Sequence, residues 1–367
     1  MVRPIVIAAG GTGGHFFPAE ALAAELLRRG RRIVLMTDAR SGGLNSPAFA
    51  GQESFLIAGR GVFGRGARHA TRSVLTLAAG TLQARSLLAR LDATVVVGFG
   101  GYPAVAPVLA SRLLWRRPCV VLHDQNAVLG RANRLLARFA DTLALSHAAT
   151  ARVPAGVRTV VTGNPVRPAL LAVAGSPYEP PGAELRLLVL GGSLGARVFS
   201  DVVPAALAAL PEALRARLRV TQQCRPEDLE RVRAAYAASG IQAELGSFFT
   251  DVAGLLARAQ LVVCRGGGST VAELAVVGRP AIIVPLPIAI DDDQAANARG
   301  LIEAGGAWMV RQPDFTPEAL ARRIATLAAL PAVLTAAAQA AASCAIADAP
   351  ARLADLVELK ITQDFVA

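Results

Sequence analysis

Two glycine clusters, each directly after a run of apolar residues, constrain the fold of this 367-residue chain more than any other feature. The first cluster, residues 10–15, follows the apolar run 4–9, and the second, residues 191–197, follows Leu185–Leu190. Each pattern predicts a buried strand, a glycine turn and a helix start, which together point backbone N–H groups and the positive end of a helix dipole at an anion. Because the pattern occurs twice, the sequence predicts two similar α/β domains that face a shared cleft.

Neither cluster is the dinucleotide-binding fingerprint, which needs three glycines in the pattern G-x-G-x-x-G and an acidic residue about 20 positions later. Phe16 stands where the first cluster would need its third glycine. No segment matches G-x-x-x-x-G-K-[ST], and Lys360 is the only lysine. A glycine turn can also serve only the close packing of a strand on a helix, but two of them, one with His15 at the turn, favour anion binding.

Positive charge is concentrated in the first half of the chain. Residues 1–167 contain 21 arginines and 7 acidic residues, whereas residues 168–367 contain 17 basic and 20 acidic residues. The balance of +14 against −3 indicates an anionic partner for the first half, either nucleic acid or a membrane surface. A coding bias towards arginine would explain the scarcity of lysine but not this split. We expect no nucleic acid, because aromatic residues that could stack on bases make up only 5% of the chain.

Strand and helix patterns alternate along the whole chain, which is typical of parallel sheets covered by helices on both faces. Proline and glycine cluster at residues 171–182 and predict an interdomain linker, while residues 350–359 predict a last amphipathic helix. The longest stretch without charge, between Arg323 and Asp348, predicts a helix, a bend and a second helix rather than a membrane span. Apolar runs predict strands at residues 4–9, 32–36, 94–97, 119–122 and 157–161, then at Leu185–Leu190, 219–223, 242–245, Leu261–Cys264 and 281–284.

Two further polar segments follow predicted strands in the second half. In residues 264–274, Ser269 or Thr270 can cap a helix, and Glu273 falls in its first turn, where it either complements the helix dipole or binds two ribose hydroxyls. Residues 291–293 are three adjacent aspartates, which suggest a divalent metal, but neighbouring loop residues rarely aim three carboxylates at one point. We therefore expect no metal; Asp291 would cap a helix and Gln294 would face the cleft.

Taken together, these segments resemble the MurG family, bacterial transferases that move N-acetylglucosamine (GlcNAc) from UDP-GlcNAc to lipid I and so form lipid II for peptidoglycan. The resemblance implies the GT-B fold, an α/β architecture of two Rossmann-like domains separated by a deep cleft, whose last helix returns to the first domain. It implies an acceptor- and membrane-facing domain of residues 1–167 plus 346–367 and a UDP-GlcNAc-binding domain of residues 168–345. The matching segments come in the family's order: residues 10–15, 98–102, 123–126, 162–167, 191–197, 264–273 and 294–297.

The resemblance also implies a donor site. Glu273 would hold the ribose, Phe249 would contact uracil through its backbone, and Ser193 with the helix after it would meet the pyrophosphate. Gln294 and Asn297 would bind the GlcNAc hydroxyls. The other matching donor positions are Thr12, Gly13, Gly14, Asn126, Arg167, Gly268, Ser269, Thr270, Val271 and Ala272.

In the implied reaction, the C4 hydroxyl of the muramyl sugar displaces UDP from the anomeric carbon, and the configuration inverts to a β-1,4 link. His15 is the candidate base, since an unperturbed imidazole has a pKa of about 6.5; alternatively it holds the loop or grips the donor phosphate. Arg167 and Ser193 would stabilise the leaving phosphate, and we expect no cofactor. Tyr102, His123 and Asp124 are the other catalytic candidates, expected on the acceptor side. Packing at strand ends is the alternative for Tyr102 and His123, and Asp124 stands where a glutamate is usual.

The lipid acceptor implies a peripheral position on the cytoplasmic face of the inner membrane. Basic residues near an anionic surface contribute about 1 kcal/mol each, and Trp115 beside Arg116 and Arg117 is a candidate interfacial anchor. Core packing is the alternative for the apolar residues of the candidate surface, which are Val62, Phe63, Val74, Leu75 and Leu77 beside Arg60, Arg65, Arg68, Arg72 and Arg85.

Other cell-wall synthesis proteins are further expected partners. Two other functions stay open at the level of sequence. One is a GT-B transferase with another lipid acceptor, such as diacylglycerol. The other is a non-catalytic UDP-sugar sensor that regulates a partner protein.

Overall fold

The computed structural model describes residues 3–11, 13–38, 46–58, 67–192, 195–287 and 290–364. The chain divides into two compact units, one formed by Met1–Pro168 with Asp348–Ala367 and the other by Ala169–Ala347. Each unit contains one parallel sheet with helices packed on it, so the predicted α/β class with two parallel sheets is confirmed.

The first unit is built on a seven-stranded parallel sheet in the order β3-β2-β1-β4-β5-β6-β7. Its strands are β1 (Ile5–Ala8), β2 (Ile33–Thr37), β3 (Glu53–Leu56), β4 (Val95–Gly98), β5 (Cys119–Asp124), β6 (Thr142–Leu145) and β7 (Thr159–Val161). Its helices are α1 (Gly13–Arg28), α2 (Ala67–Leu91), α3 (Gly101–Ser111), α4 (Arg131–Leu136) and the last helix of the chain, α14 (Ala349–Asp364).

Alternate residues of β1 enter two different cores of the first unit, because successive side chains of a strand point to opposite faces of the sheet. Ile5 and Ile7 pack with α1 and α14, whereas Val6 and Ala8 pack with α2 and α3. The last helix is therefore part of the first core, to which it contributes Leu353 among others. The uninterrupted apolar sequence of β1 follows from burial on both faces.

The second unit is built on a six-stranded parallel sheet in the order β10-β9-β8-β11-β12-β13. Its strands are β8 (Leu185–Leu190), β9 (Leu218–Gln223), β10 (Gln242–Gly246), β11 (Leu261–Cys264), β12 (Ala281–Ile283) and β13 (Ala307–Met309). Helix α5 (Pro168–Leu171) crosses the boundary between the units. The others are α6 (Arg197–Ala208), α7 (Glu212–Arg215), α8 (Leu229–Ala238), α9 (Val252–Arg258), α10 (Gly268–Val277), α11 (Asp293–Glu303), α12 (Pro317–Ala329) and α13 (Pro331–Ser343).

The strand order reverses beside the first strand of each unit, between β1 and β4 and between β8 and β11. In open parallel sheets, ligands bind outside the carboxyl ends of the strands at such a reversal. Both glycine clusters follow strands at these two reversals, namely β1 and β8. The topology therefore places the chemically interesting turns at the edge where ligand binding is expected.

All ten predicted strands are confirmed, with ends that differ by up to two residues. Strands β3, β6 and β13 were missed. The helix–bend–helix prediction for the long uncharged stretch is also confirmed, since α12 and α13 meet at 95°. In the described ranges, no single helix has both the length and the apolar composition to cross a membrane, and α12 with α13 passes such a test only as this bent pair.

Candidate active site

A cavity of about 360 Å³ lies at the carboxyl edge of the first unit's sheet. Three predicted catalytic residues line it: His15 from α1, Tyr102 from α3 and Asp124 from the end of β5. The apolar part of the wall is formed by Ile57, Leu77, Val105 and Leu135. A lining of both polar and apolar side chains suits a ligand that carries both characters.

The imidazole of His15 is held by the ends of three neighbouring strands. His15 follows β1 as the third residue of α1, and its Nδ1 lies 2.9 Å from the carbonyl oxygen of Phe99, which directly follows β4. The same Nδ1 lies 2.7 Å from the side-chain amide of Gln125, which directly follows β5. Gly101 has a positive φ of 67°, and a Cβ there would lie 3.4 Å from the ring. Glycine turns thus let the backbone approach the ring closely.

Asp124 organises the loop that follows β5. Its carboxylate accepts hydrogen bonds from the backbone N–H groups of Asn126 and Gly130, each at 2.9 Å, and from the amide of Asn133 at 3.0 Å. Burial raises the pKa of the carboxyl group, although these hydrogen bonds oppose the rise. The shorter side chain at this position therefore finds its partners within its own loop and in α4.

His123 is a core residue behind the cavity. Its side chain is fully buried, its ring packs on that of Phe99 with centroids 5.3 Å apart, and its Nε2 lies 3.2 Å from the carbonyl oxygen of Gly163. Burial lowers the pKa of His123 to about 4, so the ring is neutral near pH 7. This position does not fit the expectation that His123 lines the acceptor side; it fits the alternative of packing at a strand end.

Arg167 lies against the first turns of α1. Its guanidinium stacks 4.0 Å above the ring of Phe17, and a Cβ on Gly13 would lie 2.8 Å from the same ring. The charge of Arg167 also lowers the pKa of Glu20, although burial raises that pKa more. The structure therefore brings Arg167, Gly13 and the neighbouring Gly14 together, while Thr12 lies outside the described residues.

Three glycines of the second cluster, Gly191, Gly192 and Gly195, lie between β8 and α6. A Cβ on Gly191 would lie 2.3 Å from the backbone nitrogen of Ala196, so only glycine fits there. Ala196 is the N-cap of α6, and no side chain among the described residues caps this end of the helix. Such an N-terminus offers backbone N–H groups to an anion. Ser193 lies outside the described residues, and Phe249 is half-buried beyond the end of β10.

The turn after β11 differs from the prediction in two details. Gly267 is the N-cap of α10 and no side chain caps it, so the prediction that Ser269 or Thr270 does so is wrong. Glu273 is buried at the sixth position of α10, and no acidic residue lies in the first turn. A role in complementing the helix dipole is thus excluded, because that effect fades beyond the first turn. Of the other donor candidates, Gly268 and Val271 are buried and Ala272 is half-buried.

Helix α11 supports this turn from the side. The backbone oxygen of Gln294 leaves no room for a Cβ on Gly266, and its side-chain oxygen accepts a hydrogen bond from Leu286 N–H at 3.0 Å. Asn297 is buried and donates to the carbonyl oxygen of Gly266 at 3.0 Å. The Asn297 amide therefore holds the glycine turn, which does not fit the expectation that it binds sugar hydroxyls.

The acidic run before α11 neither caps the helix as predicted nor forms a metal cluster. The N-cap is Asp292 rather than Asp291, and no side chain makes the capping bond. The Asp292 carboxylate instead pairs with the guanidinium of Arg311 at 2.7 and 2.8 Å. Within the described part of the chain, no group of three or more His, Cys, Asp or Glu side chains is placed to hold a metal ion.

Four residues that shape the cavity beside His15 or the turn after β11 were not predicted from the sequence. Asp38 follows β2 and accepts a hydrogen bond from Gly11 N–H at 3.2 Å, Gln125 contacts His15, and Asn133 bonds to Asp124. Arg265 donates to the carbonyl oxygen of Val284 at 3.0 Å and so joins the ends of β11 and β12. The signal for Asp38 and Gln125 was available, because each is a polar residue at a strand end, whereas Asn133 lies inside helix α4, where no strand end marks it.

Comparisons with known proteins agree along the whole chain. Residues 5–145 match the glycosyltransferase family 28 N-terminal domain and residues 186–353 match the C-terminal domain of the same family. A Granulibacter bethesdensis protein named "UDP-N-acetylglucosamine--N-acetylmuramyl-(pentapeptide) pyrophosphoryl-undecaprenol N-acetylglucosamine transferase" is 66% identical over 97% of this chain and 93% of its own length. An Acidiphilium cryptum protein of the same name is 58% identical over 97% of this chain and 96% of its own length.

Solved structures show the same fold. The crystal structure of Acinetobacter baumannii MurG covers 98% of this chain and 100% of that one, with a TM-score of 0.77 and 30% identity. The kitacinnamycin glycotransferase covers 98% of this chain and 100% of that one, with a TM-score of 0.69 and 19% identity, and supports the fold alone.

Proposed function

Because the chain belongs to glycosyltransferase family 28, and within it to the MurG family, we propose that it transfers GlcNAc from UDP-GlcNAc to the C4 hydroxyl of the muramyl sugar of lipid I. The anomeric configuration inverts, and the product is lipid II for peptidoglycan synthesis. The observation that carries this proposal is the full-length similarity to relatives named for this transfer. The geometry of the first unit supports it, since the His15 imidazole lies beside a cavity that has polar and apolar lining residues.

His15 removes the proton from the attacking hydroxyl in this proposal. Nδ1 faces the carbonyl oxygen of Phe99, which can only accept a hydrogen bond, so the proton of the neutral ring belongs on Nδ1. Nε2 then carries the free lone pair. The hydroxyl oxygen attacks the anomeric carbon, its proton passes to Nε2, and the bond from that carbon to the UDP oxygen breaks. General-base help of this kind contributes roughly 10²–10⁴-fold to a rate.

The leaving diphosphate gains negative charge, and in this proposal three kinds of group stabilise that charge. Backbone N–H groups at the start of α6 offer oriented dipoles. Arg167 supplies a full positive charge, and Ser193 remains a prediction outside the described residues. Glu273 would accept hydrogen bonds from the ribose, Phe249 would meet uracil, and Gln294 would bind GlcNAc.

We propose further that the chain works as a peripheral protein on the cytoplasmic face of the cell membrane, where lipid I is presented. Support comes from exposed apolar side chains of α2, chiefly Leu75 and Leu82, and from Trp115, which is fully exposed. The Arg85 side chain donates to the carbonyl oxygen of Leu113 at 3.1 Å and so connects α2 with the turn that carries Trp115. Leu77 instead packs on the core. Val62, Phe63, Arg60 and Arg65, and the side chains of Arg68 and Arg72, lie outside the described residues.

The test is a transfer assay with radiolabelled UDP-GlcNAc and three acceptor conditions: a lipid I analogue, diacylglycerol, and no lipid. The proposal predicts labelled disaccharide-lipid only with the lipid I analogue. Label on diacylglycerol would support the other-acceptor function instead. Donor binding without transfer to either lipid would support a UDP-sugar sensor.

A further inference from the structure

The hydrogen bonds around His15 contain a conflict that only one arrangement resolves. Nδ1 lies 2.9 Å from the Phe99 carbonyl oxygen and 2.7 Å from the Gln125 amide nitrogen. The carbonyl needs a proton on Nδ1, whereas an amide N–H needs a lone pair there, so both cannot be satisfied. The backbone carbonyl cannot change its chemistry, but a side-chain amide can turn over and exchange its oxygen with its nitrogen.

No described hydrogen bond at the other end of the same amide opposes this solution. Gln125 is buried, and its Oε1 has no hydrogen-bond partner among the described residues. Turning the amide therefore gives up no hydrogen bond of Oε1 to these residues. We therefore propose that Gln125 presents its oxygen to Nδ1, so that two acceptors, one from the backbone after β4 and one from the side chain after β5, share the Nδ1 proton.

Gln125 is then a positioning residue for His15. Two acceptors on Nδ1 fix the tautomer in which Nε2 is unprotonated, and they stabilise the imidazolium that forms when Nε2 takes a proton. The arrangement resembles the carboxylate that orients a catalytic histidine, but it uses two neutral oxygens in place of a charged one. The kinetic consequence rests on the proposed transfer reaction, whereas the tautomer itself does not.

The tautomer is tested by ¹⁵N NMR of histidine side chains in the full-length protein, which has four histidines. Wild-type protein is compared with Gln125→Glu, which keeps the shape and places a charged acceptor at Nδ1, and with Gln125→Met, which removes the acceptor. The proposal predicts Nδ1–H in the wild type, a protonation midpoint of His15 raised by about one pH unit or more in Gln125→Glu, and mixed tautomers in Gln125→Met. A proton on Nε2 in the wild type, or an unchanged midpoint in Gln125→Glu, would overturn it.

Turnover gives a second readout. Gln125→Met should lower kcat roughly tenfold with little change in the KM for UDP-GlcNAc, and Gln125→Glu should move the acidic limb of the kcat profile to higher pH. Gln260→Met is the matched control, because Gln260 is also buried and its side chain bonds to the backbone of Arg186 and Pro180 in the second unit. Equal kcat losses in both Met variants would contradict a positioning role. If wild-type protein transfers no sugar, the transfer proposal fails, and the NMR result alone decides this inference.

Discussion

Acid should destabilise the first unit through His123, by an amount that follows from its burial. The pKa of His123 is lowered to about 4 in the folded protein, because burial disfavours the charged ring. In the unfolded chain, histidine titrates near 6.5. Below that pH the unfolded chain binds a proton that the folded chain does not, so stability falls as pH drops from about 6.5 towards 4. The loss from this residue is about 2 kcal/mol at pH 5 and about 3 kcal/mol at pH 4.

The perturbation is His123→Gln, which keeps a group able to reach the Gly163 carbonyl but cannot titrate. Urea unfolding of wild type and variant at pH 7 and pH 5, followed by circular dichroism, gives the free energy of unfolding of each protein. The wild type should lose about 2 kcal/mol more than the variant over this range. His147→Gln is measured in parallel, because burial also lowers the pKa of His147. The reasoning is refuted if wild type and His123→Gln lose stability equally.

Three other predictions follow from single contacts. Gly191→Ala should weaken UDP-GlcNAc binding at least about tenfold by calorimetry, because its Cβ would lie 2.3 Å from backbone; Gly182→Ala, which meets nothing within 4 Å, should bind normally. Arg279→Met should lower the free energy of unfolding of the second unit by about 3 kcal/mol or more. The reason is that the buried guanidinium donates to the carbonyl oxygens of Leu256, Ala257 and Val277. Unchanged urea midpoints would contradict this. Leu75→Ser with Leu82→Ser should reduce flotation with anionic vesicles at least about tenfold, whereas Val333→Ser, an exposed site of the second unit, should not.

Apolar runs predicted ten of the strands that the structure describes and missed β3, β6 and β13. Strand β3 has the sequence ESFL and lies at a sheet edge with mostly exposed side chains, so neither composition nor alternation marks it. Strands β6 (TLAL) and β13 (AWM) are no shorter than the predicted strands β4 and β12, so length does not explain why they were missed. Each of the three forms a strand because its backbone pairs with that of a neighbouring strand. The local sequence does not indicate which strand that neighbour is.

The sequence predicted those site residues whose place follows from their position directly after a strand. It predicted less well the burial of a side chain and the residues that cap the helices. His15, Tyr102 and Asp124 lie on one cavity, because parallel strands end at the same edge. The burial of His123 depends on Phe99 and Gly163, which are distant in sequence. The assignment of helix caps failed at α10 and α11, because a glycine or a left-handed aspartate can begin a helix without any side-chain bond.

The most direct test of the central claim is the single-turnover rate of His15→Ala with radiolabelled UDP-GlcNAc and a lipid I analogue, measured beside its affinity for UDP-GlcNAc. If His15 is the base for sugar transfer, the rate should fall roughly 10²–10⁴-fold while the donor still binds. A variant that transfers GlcNAc as fast as the wild type would contradict the account.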